Sequence, residues 1–395
     1  MWRGVVAAAL VIGCRGEPAP RTGEPPSPKP PAPSIVPALP QSPDGAQELV
    51  ALDLQIEQGR AAPDPEALLG ALSRRAMLRG RHEDFREALE RSGAWTAEDA
   101  NNPRAWGMRI AILIQTHQFT EAELRLDDFK RLARDPSEWE PPAATLGEAR
   151  GNPEGARAYR ERAAELHPTA ANLTNLAANL AMRGQLDGAI ALIPRAAAAL
   201  RDPSPVLVAW LLVQWGRLYV QNGEPAAARQ LFEQAHARMP GYVDATVQLA
   251  TAIRATGGDP AALAAGALAA EPHHPELLAL AGRTAEAAEA WTVYLQPPLD
   301  HAFADHAARF YLGPGSAPAK ALALATSNFT NRQTLDARAL LVEAELANTL
   351  AKSACDRAEP LATGTRAHQF LAWRAFTACG QTAEADRLAQ ALGIR

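Results

Sequence analysis

The chain has 395 residues, 47% of them hydrophobic and 6% aromatic, and a formal net charge of −5. That balance excludes a strongly basic nucleic-acid-binding surface, and three cysteines are too few for a disulfide-built scaffold or a paired CxxC zinc site. Eighty-seven alanines, 35 arginines and only 4 lysines describe a mostly helical chain, because unbranched side chains lose little rotamer freedom in a helix.

The chain opens on Met1-Trp2-Arg3 and an apolar run from Gly4 to Gly13. Ten helical residues rise about 15 Å, half a bilayer core, so the run has the size of a secretory h-region and is too short for a mature membrane span. It ends Val11-Ile12-Gly13-Cys14, which resembles the bacterial lipobox, in which a small residue precedes a cysteine that is diacylated and becomes the mature N-terminus. The resemblance implies a signal peptide over 1–13 and a lipid anchor on Cys14. Arg15 is not aspartate, which favours the outer membrane, facing the periplasm. Each buried methylene contributes about 0.8 kcal/mol, so stable anchoring takes more than one acyl chain. Residues 17–43 carry eleven prolines. Proline lacks an N–H and fixes φ, so 14–43 is expected to be a disordered, polyproline-like tether reaching about 3 Å per residue.

From Asp44 onward, stripes with a period of 3.6 residues are separated by Gly or Pro, and sustained period-2 alternation is missing. The clearest unit is 209–242, with Leu212, Trp215, Gly216, Tyr219, Gly223, Ala228, Phe232, Ala235 and Pro240. This register resembles the 34-residue tetratricopeptide repeat, a helix–turn–helix unit. Gly216 and Ala228 would let two helices approach, while Leu212, Tyr219 and Phe232 fill the seam between them. Gly223 would take the turn and Pro240 would end the second helix.

A Gly followed by Ala five residues later recurs at Gly151/Ala156, Gly184/Ala189, Gly257/Ala262, Gly282/Ala287 and Gly380/Ala385. In so alanine-rich a chain roughly six such pairs arise by chance, so the wider register must carry the assignment. Leu173, Leu176, Leu180, Ile193 and Ala196 supply it around Gly184. Ala163 and Pro168 do so around Gly151, where Arg160 stands at the aromatic seat, and Trp291 and Tyr294 around Gly282. Upstream, Ala122 fits a unit with His117 at the turn position. The resemblance implies an all-α, right-handed α-solenoid of stacked hairpins. Its repeats would cover 103–297, with degenerate hairpins over 44–102 and 298–395. One hairpin cannot bury its apolar face alone, so the unit demands neighbours.

No phosphate loop, nucleophile elbow, HExxH or GxGxxG occurs, so no catalytic residue, metal site or cofactor is expected. His273-His274 and the pair His301/His306 read as solvated histidines, and the arginine-rich stretch 74–86 as a solvated helix face. Cys355 and Cys379 fall on adjacent antiparallel helices whose midpoint lies near Gly364, so they form either a disulfide or two separate buried thiols.

In the family the first helix of each pair lines a concave groove. By resemblance the groove residues here are Thr174 and Met182, then Trp210, Val213, Arg217 and Gln221, then Asp244, Thr251 and Arg254. Trp210 would be a peptide anchor there, or would pack on Pro203 or Pro205. The expected function is a non-catalytic, membrane-anchored scaffold or adaptor in a bacterial cell envelope that binds a protein or peptide partner and no nucleic acid. The alternative is an envelope enzyme or small-molecule binder with a pocket in 298–395, marked by convergent polar side chains of perturbed pKa.

Overall fold

The computed structural model describes residues 44–61 and 64–394, together with Pro37 and Leu39. The expected signal peptide, Cys14 and the rest of the tether lie outside the described residues. Among the described residues there is no strand, and no helix is long and apolar enough to cross a membrane.

The helices run α1 Gly45–Ala61, α2 Pro65–Arg79, α3 His82–Glu98, α4 Pro103–Gln115, α5 Phe119–Leu132, α6 Pro136–Ala149, α7 Pro153–Leu166 and α8 Ala170–Met182. They continue with α9 Leu186–Ala191, α10 Ile193–Ala199, α11 Pro205–Gln221, α12 Pro225–Arg238, α13 Val243–Ala255, α14 Ala261–Ala267, α15 Pro275–Leu280 and α16 Thr284–Tyr294. The last are α17 Asp300–Leu312, α18 Pro318–Asn331, α19 Leu335–Ala347, α20 Ala351–Ala358, α21 Arg366–Cys379 and α22 Thr382–Leu392, with a 3₁₀ segment at Glu359–Thr363. Most helices pack against the next in the chain, and first helices also pack on those of the following unit, as α2 on α4, α4 on α6, α11 on α13 and α17 on α19. The result is an all-α solenoid.

Local chemistry explains the punctuation. Many helices open on a proline, whose missing N–H has no intrahelical partner at that position and whose φ suits the helix. Asp64, Asn102, Asp135, Asn152, Thr169, Thr334 and Thr365 cap the free N–H groups of their helices. The six glycines of the Gly/Ala pattern all take the left-handed conformation, with φ between 76° and 84°. At five of them the alanine five residues on is buried: Ala156, Ala189, Ala228, Ala287 and Ala385. The sixth differs from expectation. Gly258-Asp259-Pro260 delay α14 to Ala261, so Ala262 is exposed and Ala264 takes the buried seat. His117, Ser316 and Thr349 occupy equivalent left-handed turns, each with a buried alanine five residues later at Ala122, Ala321 and Ala354. The second helix expected after Gly184 is broken into α9 and α10, where Pro194 cannot donate to the preceding turn.

The coil returns on itself. Arg81 donates to both Glu271 oxygens at 3.0 and 3.1 Å, and Arg79 reaches the same carboxylate at 3.4 Å. His82 lies on the Tyr294 ring, with centroids 4.6 Å apart. Arg86 donates to the Pro297 and Gln296 carbonyls at 2.7 and 2.9 Å. Further along, the His117 ring meets the His301 carbonyl, Asn331 donates to the His117 carbonyl, and Arg150 donates to the Asn331 carbonyl. These partners are 181 to 214 positions apart, so about that length of chain makes one turn of the coil and each turn rests on the next. The stretch 74–86 is therefore not a solvated face. Arg75 is buried in a two-pronged pair with Asp84, both contacts at 2.7 Å, and Arg79 and Arg81 tie the turns together.

Within a hairpin the closest approach is at Gly216, where a Cβ would sit 2.3 Å from the fully buried Phe232 ring. Gly223 has open space around its Cβ direction and only its φ of +77° to satisfy. Gly216→Ala is expected to lower unfolding free energy by about 1–3 kcal/mol despite alanine's better helix propensity. Gly223→Ala should cost about 1 kcal/mol through its left-handed backbone. Denaturant unfolding of the two variants checks the order, and a stabilised Gly216→Ala would refute the close approach.

Candidate functional site

The returning coil puts a second wall opposite the concave face of the first turn. The two walls bound a cavity of about 460 Å³, within the range of small-ligand sites. One wall is built from first helices of successive hairpins: Ile114 of α4; Thr145, Glu148 and Ala149 of α6; Thr174, Ala178, Ala181 and Met182 of α8; Trp210, Gln214, Arg217 and Gln221 of α11. Spacings of three and four residues put each set on one helix face. The opposite wall comes from the following turn of the coil: Arg332 to Asp336 and Arg338 at the start of α19, and Pro360, Thr363 to Thr365 and His368 around the start of α21.

The lining holds five arginines against two carboxylates, and both carboxylates are committed. Glu148 receives Arg160 at 3.0 and 2.7 Å, and Asn179 at 2.8 Å. Arg160, the residue at the expected aromatic seat, thus fills it as half of a buried ion pair. Asp336 lies 3.0 Å from His368 Nε2. His368 Nδ1 accepts the Thr365 backbone N–H in a capping box, so Nε2 carries the proton toward Asp336.

Three of the other four arginines are paired with carboxylates outside the lining. Arg217 is gripped from behind by Asp244, with contacts of 2.9 and 2.8 Å. The Gln214 amide oxygen, oriented to satisfy both neighbours, takes Arg217 Nη1 at 3.0 Å and Trp210 Nε1 at 3.3 Å, while Arg217 Nε has no partner. Arg183 pairs with Glu154 at 2.6 Å and leaves Nη1 unpartnered. Arg332 reaches Asp305 at 3.4 Å and leaves Nε unpartnered. Arg338 has no carboxylate partner among the described residues and lies over the Phe329 ring at 4.9 Å. Burial, and then Arg357, lower its affinity for its proton.

Five of the nine groove residues expected from sequence, Thr174, Met182, Trp210, Arg217 and Gln221, line this cavity. Thr174 Oγ1 is used internally, accepting from Trp215 Nε1 at 3.1 Å. Val213 is fully buried core, Asp244 sits behind Arg217, Thr251 bonds back to the Val247 carbonyl, and Arg254 faces solvent. The groove does not extend over α13 because α2 packs there. Arg183, Arg332, Arg338 and His368 were not expected. No local pattern marks them, since only closure of the coil brings 332–368 opposite 114–221.

Cys355 and Cys379 form a disulfide between α20 and α21, and the segment it encloses contributes Pro360, Thr363, Gly364, Thr365 and His368 to the cavity wall. Among the described residues no cluster of three metal-ligating side chains occurs.

Behind the cavity a chain of charges joins the two turns. Arg332 meets Asp305, Asp305 faces His306 at 3.8 Å, and His306 Nδ1 lies 3.0 Å from Glu276. His274, a residue expected to be solvated, is only 7% exposed. Burial pushes the His274 imidazole down to about 4, against the pull of Glu276. Burial opposes charge on His306 too, but Glu276 and Asp305 outweigh it and hold that imidazolium up to about 9. Desolvation, reinforced by Arg332, pushes His117 down to about 3.

No protein-family profile matches the chain, and no curated protein matches it. Solved structures do. The chain is similar to the APC/C hetero-tetramer Cut9–Hcn1 at 14% identity, over 83% of this chain and 59% of that one, with a TM-score of 0.45. It is similar to human IFIT1, solved as a dimer with PPP-AAAA, at 16% identity over 88% and 86% of the two chains, with a TM-score of 0.43. It is also similar to YrrB, described as a TPR protein with an unusual peptide-binding site, at 17% identity over 52% and 98%, with a TM-score of 0.29. The chain thus spans 59% of the length of the first of these. At such identities and scores the likenesses bear on neither ligand nor partner.

The histidines give a signed pH dependence. The His306 contribution is fully present below its unfolded pKa of about 6.5 and is lost as pH rises toward 9. The His274 and His117 contributions are present above about 6.5 and are lost as pH falls toward 4 and 3. Thermal stability should therefore peak near pH 6.5, with His306→Gln flattening the alkaline limb and His274→Gln the acid limb. Melting curves from pH 4 to 9.5 check this; a melting temperature that climbs steadily through pH 9 would exclude it.

Proposed function

We propose that this protein is a non-catalytic binding protein that seats a short peptide segment of a protein partner in the channel between its two coil turns. A lipid on Cys14 would hold it at the outer membrane of a bacterial envelope, and the proline-rich tether would carry the solenoid into the periplasm. The observation that carries the reading is the cavity itself: about 460 Å³, lined by Trp210, Met182 and Leu218 as apolar surface and by five arginines. Aromatic and arginine side chains supply much of the energy of interfaces. The non-catalytic part rests on the lining's chemistry. Glu148 and Asp336 are each committed to a cationic or imidazole partner, and neither Thr174 nor Thr365 has a free base beside it.

A small molecule as the occupant is the second reading. It is favoured by the enclosure of the cavity on two sides and by the wall that residues 332–368 contribute. The pocket expected of a small-molecule binder is one within 298–395, and the cavity draws only one of its two walls from there.

Two measurements separate these readings. A photo-crosslinking amino acid placed at Met182 should trap a polypeptide from the native envelope, with the crosslink on one short segment. The same group at Leu124, which is 67% exposed, should trap nothing at that segment. Absence of any trapped polypeptide, alongside a co-purifying small molecule, favours the second reading. Cys14→Ala should shift the protein from the membrane to the soluble fraction, and unchanged partitioning excludes the anchor.

A further inference from the structure

We infer that the Cys355–Cys379 disulfide is a redox-sensitive latch on the far wall of the channel. Oxidised, it keeps that wall seated against the first turn; reduced, it lets the wall open while the rest of the coil stays folded. The inference rests on the reading that the channel is the binding site, and it assigns that site's regulation.

Three observations converge. First, the bond brackets the wall. Its cysteines are 24 positions apart, and between them lie the 3₁₀ segment and the start of α21, which supply Pro360, Thr363, Gly364, Thr365 and His368 to the cavity. Second, this end of the coil has a small core of its own. Cys355 clusters there with Val342, Leu361, Leu371, Phe376 and Leu388, the other buried members being alanines. None of these side chains belongs to the large cluster of the first turn. So small a core leans on its cross-link, and a unit with a separate core can open by itself. Third, the seam between the turns changes character where this wall meets it. Upstream it is hydrogen-bonded, by Arg81 to Glu271, Arg86 to the Pro297 carbonyl and Arg150 to the Asn331 carbonyl. At the Gly184 corner a Cβ would meet only the Thr363 carbonyl, at 3.8 Å, an ordinary van der Waals contact.

The chemistry is thiol–disulfide exchange with a dithiol. Cys355 is 5% exposed, whereas Cys379 is half-buried at the end of α21, beside the open space at Gly380. A reductant's thiolate therefore meets the Cys379 sulfur. A new S–S bond forms there, the bond to Cys355 breaks, and the Cys355 thiolate takes a proton. The reductant's second thiol gives up its proton and attacks its own sulfur in the mixed disulfide, and Cys379 leaves and is protonated. The protein gains two electrons and two protons, and the dithiol becomes a disulfide. With the bond cut, the His368 contact to Asp336 at 3.0 Å and the small core are left to hold the wall. The detached state of 356–378 is then no longer a closed loop, gains conformational freedom and is more populated.

The test uses the full chain in three states: oxidised, treated with dithiothreitol without denaturant, and reoxidised with glutathione disulfide. Hydrogen exchange is read by mass spectrometry, and thiols are mapped by alkylation. Dithiothreitol should release thiols at Cys355 and Cys379. Exchange over 359–371 should then quicken on the order of tenfold or more, with 45–115 unchanged, and reoxidation should restore it. The double variant Cys355→Ala/Cys379→Ala should exchange as the reduced chain does and no longer respond to dithiothreitol. A photo-crosslinker at Met182 should lose most of its yield on reduction.

Thiols that are released only in denaturant, or exchange over 359–371 that does not change once they are released, overturn the latch. Exchange that quickens equally through 45–115 makes the bond a brace for the whole coil and overturns it as well. A Met182 crosslink of equal yield in both redox states separates the bond from binding, and the inference falls. The exchange arm needs no ligand, so its failure leaves the channel reading to its own crosslink. A Met182 crosslink missing from the oxidised chain counts against the channel reading alone.

Discussion

Helical hairpins stacked with a constant twist must either leave their concave face open or meet their own chain one turn later. This chain meets itself. Arg81 on Glu271, His82 on Tyr294, Arg86 on the Pro297 carbonyl and Arg150 on the Asn331 carbonyl are contacts between one turn and the next. They convert what would be an open groove into a bounded cavity. The site depends on them, because Arg332, Arg338 and His368 reach the concave face only when the second turn is in place. An open solenoid of the same hairpins would carry Trp210 and Arg217 on a surface and have no opposite wall.

The two commonest features of the composition serve two different contacts. Alanine works within a turn. Five residues after most of the left-handed hairpin corners it lets the second helix sit close to the first, as Ala228 and Ala287 do with no exposed surface. Arginine works largely across faces. Arg75 is buried against Asp84 and also reaches Asp53, and Arg160 is buried against Glu148, while Arg79, Arg81, Arg86 and Arg150 span the turns. A planar fork of donors suits this better than lysine, since it can hold a carboxylate or a pair of carbonyls from the neighbouring turn while staying charged.

The hairpins were legible in the sequence because their determinants are local. Gly223, Phe232 and Ala228 lie within one unit, and the glycine corners announce themselves by residue type. Ser316 and Thr349 went unread because their side chains do not advertise a left-handed backbone, although each is followed by the expected buried alanine. The site was half legible. Thr174, Met182, Trp210, Arg217 and Gln221, on one wall, follow from the groove positions that the tetratricopeptide resemblance implies. The other wall depends on pairings 181 to 214 positions apart, as in Arg150 and His117 with Asn331, and no local spacing encodes those. The same blindness made His274 and the 74–86 arginines look solvated, since their burial is supplied by a turn of coil that sequence periodicity cannot place.

Closure of the coil is tested most directly by a double-mutant cycle on Arg81 and Glu271, which are 190 positions apart and joined by two hydrogen bonds to one carboxylate. Unfolding free energies of the parent chain, Arg81→Ala, Glu271→Ala and the double variant give the coupling between the two side chains. A closed coil predicts a favourable coupling on the order of 1 kcal/mol, as for a partly buried charge-assisted pair. Strictly additive effects of the two substitutions would mean that the turns do not touch, and with them would go the far wall of the cavity.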